Sequence, residues 1–279
     1  MKRIAIIGTE NSHASAFASL LAENSTVKII GAFGTDPNAN RTFSEKFGID
    51  CSAASAGDFA GLVDGVMITS RDGKSRFESA LPYMVAGSTV FIDKPITISV
   101  HEAKRLADLA ALSGAKLCGG SCLKYSAGIT GLRKLAEAEP SDICGASFCA
   151  PVEMDSPYSG FFFYAQHLVE MCTAVLGENI VSVYAKRTPT KASVLLNYGN
   201  FCASLFFGSD IYTATLTLRS HDRHTEIKNV TALYANELSY FVSLLNGGKP
   251  KFSPQSVIYP VIILNAISRS FTENKEIIL

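Results

Sequence analysis

The sequence predicts an α/β protein in two parts: a doubly wound parallel sheet, then an α+β domain with an open, mostly antiparallel sheet. Three observations lead there. Through residue 120, short strands that are apolar throughout alternate with helical patterns. Strands buried on both faces read that way, and helical crossovers between them make the sheet parallel. Beyond residue 120, long strands follow one another with only turn residues such as Tyr198-Gly199-Asn200 and Gly208-Ser209-Asp210 between them, as in hairpins. Finally, 279 residues at 47% hydrophobic supply enough apolar side chains for two cores.

The elements follow in order. Arg3 to Ile7 is a short apolar strand. Ser12 to Glu23 is a helix with Ala14, Phe17, Leu20 and Leu21 on one face. Val27 to Phe33 is a second strand, and a polar helix spans Ala39 to Phe47. Gly65 to Thr69 and Ser88 to Ile92 are further strands, each followed by a helix (Arg76 to Ala86, Ser99 to Ser113), and Lys116 to Cys118 begins a fifth strand. Right-handed crossovers then make the sheet doubly wound. In the second part a helix (Ala127 to Glu137) precedes a strand (Ile143 to Val152) and a helix from Phe161 to Leu176. Strands follow at Ile180 to Lys186, Ser193 to Tyr198, Phe201 to Phe207 and Tyr212 to Leu218. Helices at Leu233 to Asn246 and Ser256 to Phe271 close the chain, with Gly247-Gly248 as a stop signal. The expected domains are 1–120 and 121–279.

Lys plus Arg and Asp plus Glu number 25 each, so no charge excess points to nucleic acid or a membrane surface. No apolar run is long enough for a transmembrane helix. The opening MKRIAIIGTENSHA lacks the pattern of a signal peptide, so the chain is read as cytoplasmic. None of the seven cysteines forms a Cys-x-x-Cys pair. They read as reduced thiols, and no metal site is expected.

Two stretches carry chemistry. The first turn reads Gly8-Thr9-Glu10-Asn11-Ser12-His13. A strand, a glycine and a helix start suit a dinucleotide, whose phosphates need close backbone approach and helix N-terminal amides. Only the first glycine of G-x-G-x-x-G is present. Glu10 and His13 stand at the other two places, and a carboxylate at Glu10 would repel phosphate. Asn11 or Ser12 can cap the helix. The end of the second strand should carry an acid for a ribose hydroxyl. Gly34 stands there, and Asp36 can substitute or cap the next turn. Arg41 nearby leaves room for a 2′-phosphate, though it faces solvent on the expected helix. The second stretch is VFIDKPIT, which ends a strand on Asp93, Lys94 and Pro95. Ligands bind at the carboxyl ends of parallel strands, so a lysine there can hold a substrate oxygen, with Asp93 orienting it or a cofactor amide.

VFIDKPIT resembles the Glu-Lys-Pro signature of the glucose–fructose oxidoreductase and inositol dehydrogenase (Gfo/Idh/MocA) family. GVMITSRDGKSRFESALPYMVAGSTVFIDKP resembles that family's fourth strand, helix and fifth strand. GGSCLKYSAGITGLRKL resembles its entry to the second domain. GFFFYAQHLVEMCTAVLG resembles its catalytic helix, and ELSYFVSLLNGGKPKFSPQSVIYPVIILNAISRS its C-terminal helices. The resemblance covers essentially the whole chain. It implies a nicotinamide-binding Rossmann domain, a second domain whose open sheet packs on a partner subunit, and oxidation or reduction of a sugar, cyclitol or related compound. There are departures: Phe163 stands where the family's catalytic helix has an Asp, and Arg71, Asp72 and Ser75 replace the usual Pro-Asn pair and later His.

On that basis the catalytic candidates are Lys94 and His167. Hydride transfer from a carbinol needs a proton acceptor and a group that stabilises the developing alkoxide, and histidine titrates near operating pH. Tyr164 and Glu170 lie three residues either side of His167, on one helical strip, and either can orient its ring. Lys124, Tyr125, Tyr164 and Glu170 are the substrate-binding candidates. Gly8, Thr9, Asn11, Ser12, His13, Asp36, Thr69, Ser70, Arg71, Asp93 and Lys94 are the cofactor-binding candidates, for NAD or NADP. Arg71, Lys74 and Arg76 meet phosphate or form a solvated face, and His221 and His224 are read as surface residues. The expected activity is that of an NAD(P)-dependent oxidoreductase on a sugar-like hydroxyl or ketone. The alternatives are an inactive sugar- or nucleotide-binding homologue, or a redox-assisted glycosidase or lyase with tightly bound NAD. A homodimer or homotetramer is expected, because a large uncovered apolar sheet face is a liability.

Overall fold

The computed structural model describes residues 1–279. The chain divides into two compact units: Met1–Gly120 with Tyr234–Ile258, and Ser121–Leu233 with Tyr259–Leu279.

The first unit holds a five-stranded parallel sheet in the order β2-β1-β3-β4-β5. Its strands are β1 (Lys2–Ile7), β2 (Val27–Phe33), β3 (Gly65–Ile68), β4 (Thr89–Asp93) and β5 (Lys116–Gly120). The segment likened to a fourth strand, helix and fifth strand thus forms the third and fourth strands of this chain. The helices are α1 (Ser12–Ala22), α2 (Pro37–Phe47), α3 (Arg76–Val85) and α4 (Val100–Ser113). β3 and β4 are buried at every residue, as strands covered on both faces must be. Chain direction across the sheet reverses between β1 and β3, which opens a crevice at their carboxyl ends.

Helix α7 (Tyr234–Leu245) corrects the expected domain boundary. The sequence reading assigned it to the second domain; it packs on β4 and β5 and against α1. Right-handed crossovers place α3 and α4 on the other face, so residues 1–120 alone would leave the α1 side of β4 and β5 uncovered. Phe241 fills that space. Its ring lies 5.8 Å from Phe91, which in turn meets Phe17 at 5.5 Å. Lys116 Nζ donates to Leu244 O at 2.8 Å and fastens the helix end.

The second unit holds a seven-stranded sheet in the order β11-β10-β6-β9-β8-β7-β12. These are β6 (Ile143–Ala150), β7 (Ser182–Arg187), β8 (Ala192–Asn197), β9 (Cys202–Phe207), β10 (Tyr212–Leu218), β11 (Asp222–Ile227) and β12 (Ile277–Ile278). Only β6 and β9 pair in parallel; every other neighbour is antiparallel. The polar stretch with His221 and His224 is an edge strand and its turn, and β12 was not foreseen. Helices α5 (Ala127–Ala138) and α6 (Phe162–Leu176) pack on this sheet. A final helix, α8, spans Pro254–Glu273. Strands β8 and β9, and β7 from Val183 to Lys186, alternate inward and outward residues, the period of a half-buried strand. Their outward positions include Tyr184, Leu195 and Phe206. No helix is long and apolar enough to cross a membrane.

Candidate active site

In the first unit, polar side chains gather at the carboxyl ends of β1, β3 and β4. Gly8 leaves β1 at φ +105°, and a Cβ there would fall 2.2 Å from the Ser70 amide nitrogen. The turn thus runs against the end of β3 with no room for a side chain. Asn11 caps α1: its Oδ1 accepts from His13 N at 3.1 Å, and its Nδ2 donates to Thr69 O at 2.7 Å. Thr69 Oγ1 donates back to Ile7 O at 2.9 Å. Ser12 is the first residue of α1, whose N-terminal amides favour an anion. Thr9 Oγ1 donates to Asn40 Oδ1 at 2.6 Å.

His13 is a surprise. Its Nδ1 lies 2.8 Å from Asp93 Oδ2, and its Nε2 lies 2.9 Å from the Tyr234 hydroxyl. This cofactor-binding candidate at the helix start thus sits in a Tyr234–His13–Asp93 chain. Tyr234 opens α7, so only the packing of that helix on this sheet brings it here.

Arg76 overturns a second expectation. Read as phosphate-facing or solvated, it is fully buried. Its Nε donates to Ser70 O at 2.8 Å and its Nη1 to Pro95 O at 2.8 Å and to Asp93 O. One guanidinium thus ties the end of β3 to the end of β4 and to the turn after it. Burial pulls the Arg76 guanidinium below its ordinary value, opposed by Asp93, Asp72 and Glu10. For Asp93, burial opposes ionisation more than any single neighbour favours it. Together, however, His13, Arg76 and Lys94 hold the carboxyl well below the ordinary carboxylate range. Asp93 Oδ1 also accepts from Lys94 N at 2.8 Å. Lys94 is 6% exposed, and its bond to Pro95 is cis. Ser70 is buried and Arg71 half-buried at the end of β3. Asp36 is exposed and caps α2 by accepting from Asn38 N at 2.8 Å.

In the second unit the polar cluster is built on α6. His167, Glu170 and Gln166 are buried on it. His167 Nδ1 lies 2.6 Å from Ser121 Oγ. Sequence reasoning assigned the imidazole's orientation to Glu170 or Tyr164. Ser121 bonds its Nδ1, and Glu170 in turn accepts from Ser121 N at 3.0 Å. The other Glu170 oxygen accepts from Lys124 Nζ at 2.7 Å. Gln166 Nε2 donates to the same oxygen as Ser121 N. Tyr164 and Tyr212 meet the imidazole as rings, with centroids 6.2 and 5.8 Å away. Burial, with Tyr164 and Cys122 nearby, raises the Tyr212 phenol above its ordinary value. Lys124 lies 5.4 Å over the Tyr125 ring. Phe163 meets Tyr158 at a tilt and Tyr164 edge-on, with ring centroids 5.5 and 5.1 Å away, in the place expected to hold an acid.

Sequence reasoning missed Ser121, Gln166, Tyr212, Tyr234 and the burial of Arg76. Only Ser121 carried a local signal: a small hydroxyl directly after a strand, able to cap the short 3-10 turn Cys122–Tyr125, as it does by accepting from Leu123 N. No group of three or more His, Cys, Asp or Glu side chains is arranged to hold a metal.

Residues 2–120 match the family model described as the Gfo/Idh/MocA oxidoreductase family, NAD-binding Rossmann fold. Those residues belong to that family. These residues thus form an NAD-binding Rossmann domain of an oxidoreductase family. Among solved structures, GenD2 from gentamicin A biosynthesis, in complex with NAD, is 15% identical at TM-score 0.89, covering 100% of this chain and 96% of its own. Myo-inositol 2-dehydrogenase from Lactobacillus plantarum is 14% identical at TM-score 0.86, covering 100% and 99%. Biliverdin reductase from Synechocystis sp. PCC 6803, in complex with biliverdin and NADP+, is 16% identical at TM-score 0.79, covering 97% and 99%. At these identities the likeness is one of fold. No curated protein matches the sequence.

The residues present fit a dinucleotide. Gly8 allows the close turn, α1 begins beside it, and Glu10 does not point its charge along the turn. Its Oε2 lies 2.8 Å from where a Cβ on Gly34 would sit, at the end of β2.

Proposed function

We propose that the protein oxidises or reduces a hydroxyl or ketone of a sugar, cyclitol or related small molecule, with Lys94 and His167 as its catalytic residues. The observation that carries this reading is Lys94: a buried ammonium at the carboxyl end of a central parallel strand of an NAD-binding domain. Buried lysines are rare without a task. This one is fixed from behind by Asp93, which Arg76 and His13 hold ionised.

The nicotinamide, when bound, supplies the hydride acceptor or donor. Lys94 would hold the substrate oxygen and stabilise negative charge as the O–H proton leaves. His167 would take that proton in oxidation and return it in reduction. Ser121 engages Nδ1, so the exchange is assigned to Nε2. Lys124, Tyr125, Tyr164 and Glu170 would bind the polyol. Glu170 and Lys124 form an ion pair, which suits hydroxyl groups because it offers both donor and acceptor. Gly8, Thr9, Asn11, Ser12, His13, Thr69, Ser70, Arg71 and Asp93 would hold the cofactor. Asp36, already spent on capping α2, is the weakest of that set.

The test is turnover of a panel of inositols and sugars with NAD and NADP, read at the nicotinamide absorbance. Lys94→Ala is expected to lower turnover by about two decades or more with the fold retained; unchanged turnover overturns the assignment. A second reading, an inactive binding homologue, is favoured by Phe163 and by Glu10 at a glycine place. Absence of binding at millimolar NADH and NADPH would support it.

The open face of the second unit's sheet supports a homodimer or homotetramer. Tyr184 and Leu195 are paired across β7 and β8, with Phe206 exposed on β9, a contiguous kind of apolar surface that isolated chains seldom leave uncovered. Light scattering is expected to give a multiple of the chain mass, and a monomer refutes it. The seven free thiols support a reducing compartment, and we keep the cytoplasm as the expected location.

A further inference from the structure

The acid that a Rossmann domain places at the end of its second strand is missing here, since Gly34 stands there directly after β2. The fold supplies a carboxylate to that spot from another strand. β1 and β2 are neighbours, with Ile7 opposite Phe33 and Gly8 N donating to Phe33 O at 2.7 Å. The turn after β1 therefore lies beside the end of β2. Glu10 leaves that turn with its Oε2 2.8 Å from where a Gly34 Cβ would be, next to Thr9 Oγ1 and Asn40 Oδ1 at 2.1 and 3.0 Å from the same point. A side chain at 34 would displace all three. Asn40 Nδ2 donates to Gly34 O at 2.8 Å and locks the arrangement. Glu10 Oε2 is buried and has no hydrogen-bond partner. A buried carboxylate oxygen without a donor is costly, so this atom is poised for hydroxyl donors. The basic residue nearest in sequence that could welcome a phosphate, Arg41, is exposed and donates to Asn38 Oδ1 at 3.0 Å.

Resting on the oxidoreductase reading, we propose that Glu10 takes over the role of the absent β2 acid. Its carboxylate accepts from the ribose hydroxyls of NAD(H) and repels a 2′-phosphate, which makes the protein selective for NAD(H) over NADP(H). The residue that breaks the glycine fingerprint is thereby the residue that reads the cofactor.

Calorimetric titration with NADH and with NADPH tests this on the wild type, Glu10→Ala and Glu10→Gln, without reference to turnover. The wild type is expected to bind NADH about tenfold or more tightly than NADPH, the worth of a hydrogen bond to a charged group. Glu10→Ala is expected to shrink that ratio by about tenfold, with NADPH gaining as NADH loses. Glu10→Gln keeps the side chain's size and serves if the alanine variant does not fold; it too loses the charge that excludes the phosphate. A wild type that prefers NADPH, or a ratio that neither variant changes, overturns the role of Glu10 while leaving the oxidoreductase reading standing. Binding of neither cofactor by the wild type overturns both.

Discussion

The two units bury ionisable side chains in different ways. In the first, charge is held mainly by backbone, with the His13 ring bonded to Asp93 beside it. Arg76 donates to the carbonyl oxygens of Ser70, Asp93 and Pro95, and Asp93 accepts from the Lys94 amide. Strand ends are rigid, so the Lys94 platform inherits the rigidity of the sheet. In the second, charge is held by side chains. His167, Glu170, Lys124 and Ser121 bond chiefly to one another, with the backbone amides of Ser121 and Leu123 among them. A network of that kind can rearrange by rotamer changes while its helix stays in place. The contrast is between a lysine set on backbone-braced strand ends in the first unit and a His167–Glu170–Lys124 cluster in the second that is held chiefly by side chains.

The largest effect expected from this contrast is at Arg76. Arg76→Met removes the clamp and leaves Asp93 and three carbonyls without their partner, at a cost of about 3–5 kcal/mol in urea unfolding. A loss below about 1 kcal/mol would mean the strand ends hold themselves.

Asp93→Asn comes next, at about 2–3 kcal/mol near neutral pH, because its hydrogen bonds involve charged partners. The pH dependence follows from its depressed value. The ionised group stabilises fully above the ordinary carboxylate range near about 4, and that stability is lost as pH falls toward the lower folded value. The gap between variant and wild type should therefore be flat from neutral pH to mild acid and close only in stronger acid. A gap that already closes in mild acid would show that Asp93 is not held ionised.

The smallest effect is expected in the second unit. Ser121→Ala removes one bond to His167 and one turn cap, about 1–2 kcal/mol. Its sharper readout is histidine chemistry. The pH profile of turnover should shift while the cofactor affinity does not, and Ser121→Thr should restore it. An unmoved profile would return the orientation of His167 to its ring neighbours.

The strands and helices were legible because their signals are local. Strands β2 and β10 follow their expected bounds to the residue, and α3, α5 and α6 to within a residue or so. Apolar runs and helical periodicity reflect the face each segment buries, and that is written along a few consecutive residues. Lys94 and His167 were legible for a different reason: ionisable residues at a strand end and on an apolar helix stand out against their neighbours. The fate of the remaining polar residues was not legible, because their partners lie far off in the chain.

By itself, then, the sequence determined the order of elements, the parallel and antiparallel halves and the identity of the catalytic candidates. Only the tertiary structure decided that α7 belongs with the first sheet, that His13 meets Asp93 and Tyr234, that Arg76 is a clamp, that Ser121 holds His167 and that Glu10 reaches the end of β2. The physical reason is common to all five. A side chain in the interior packs against or bonds to what the fold brings beside it, and which neighbour that is depends on strand order and helix placement that no local pattern encodes.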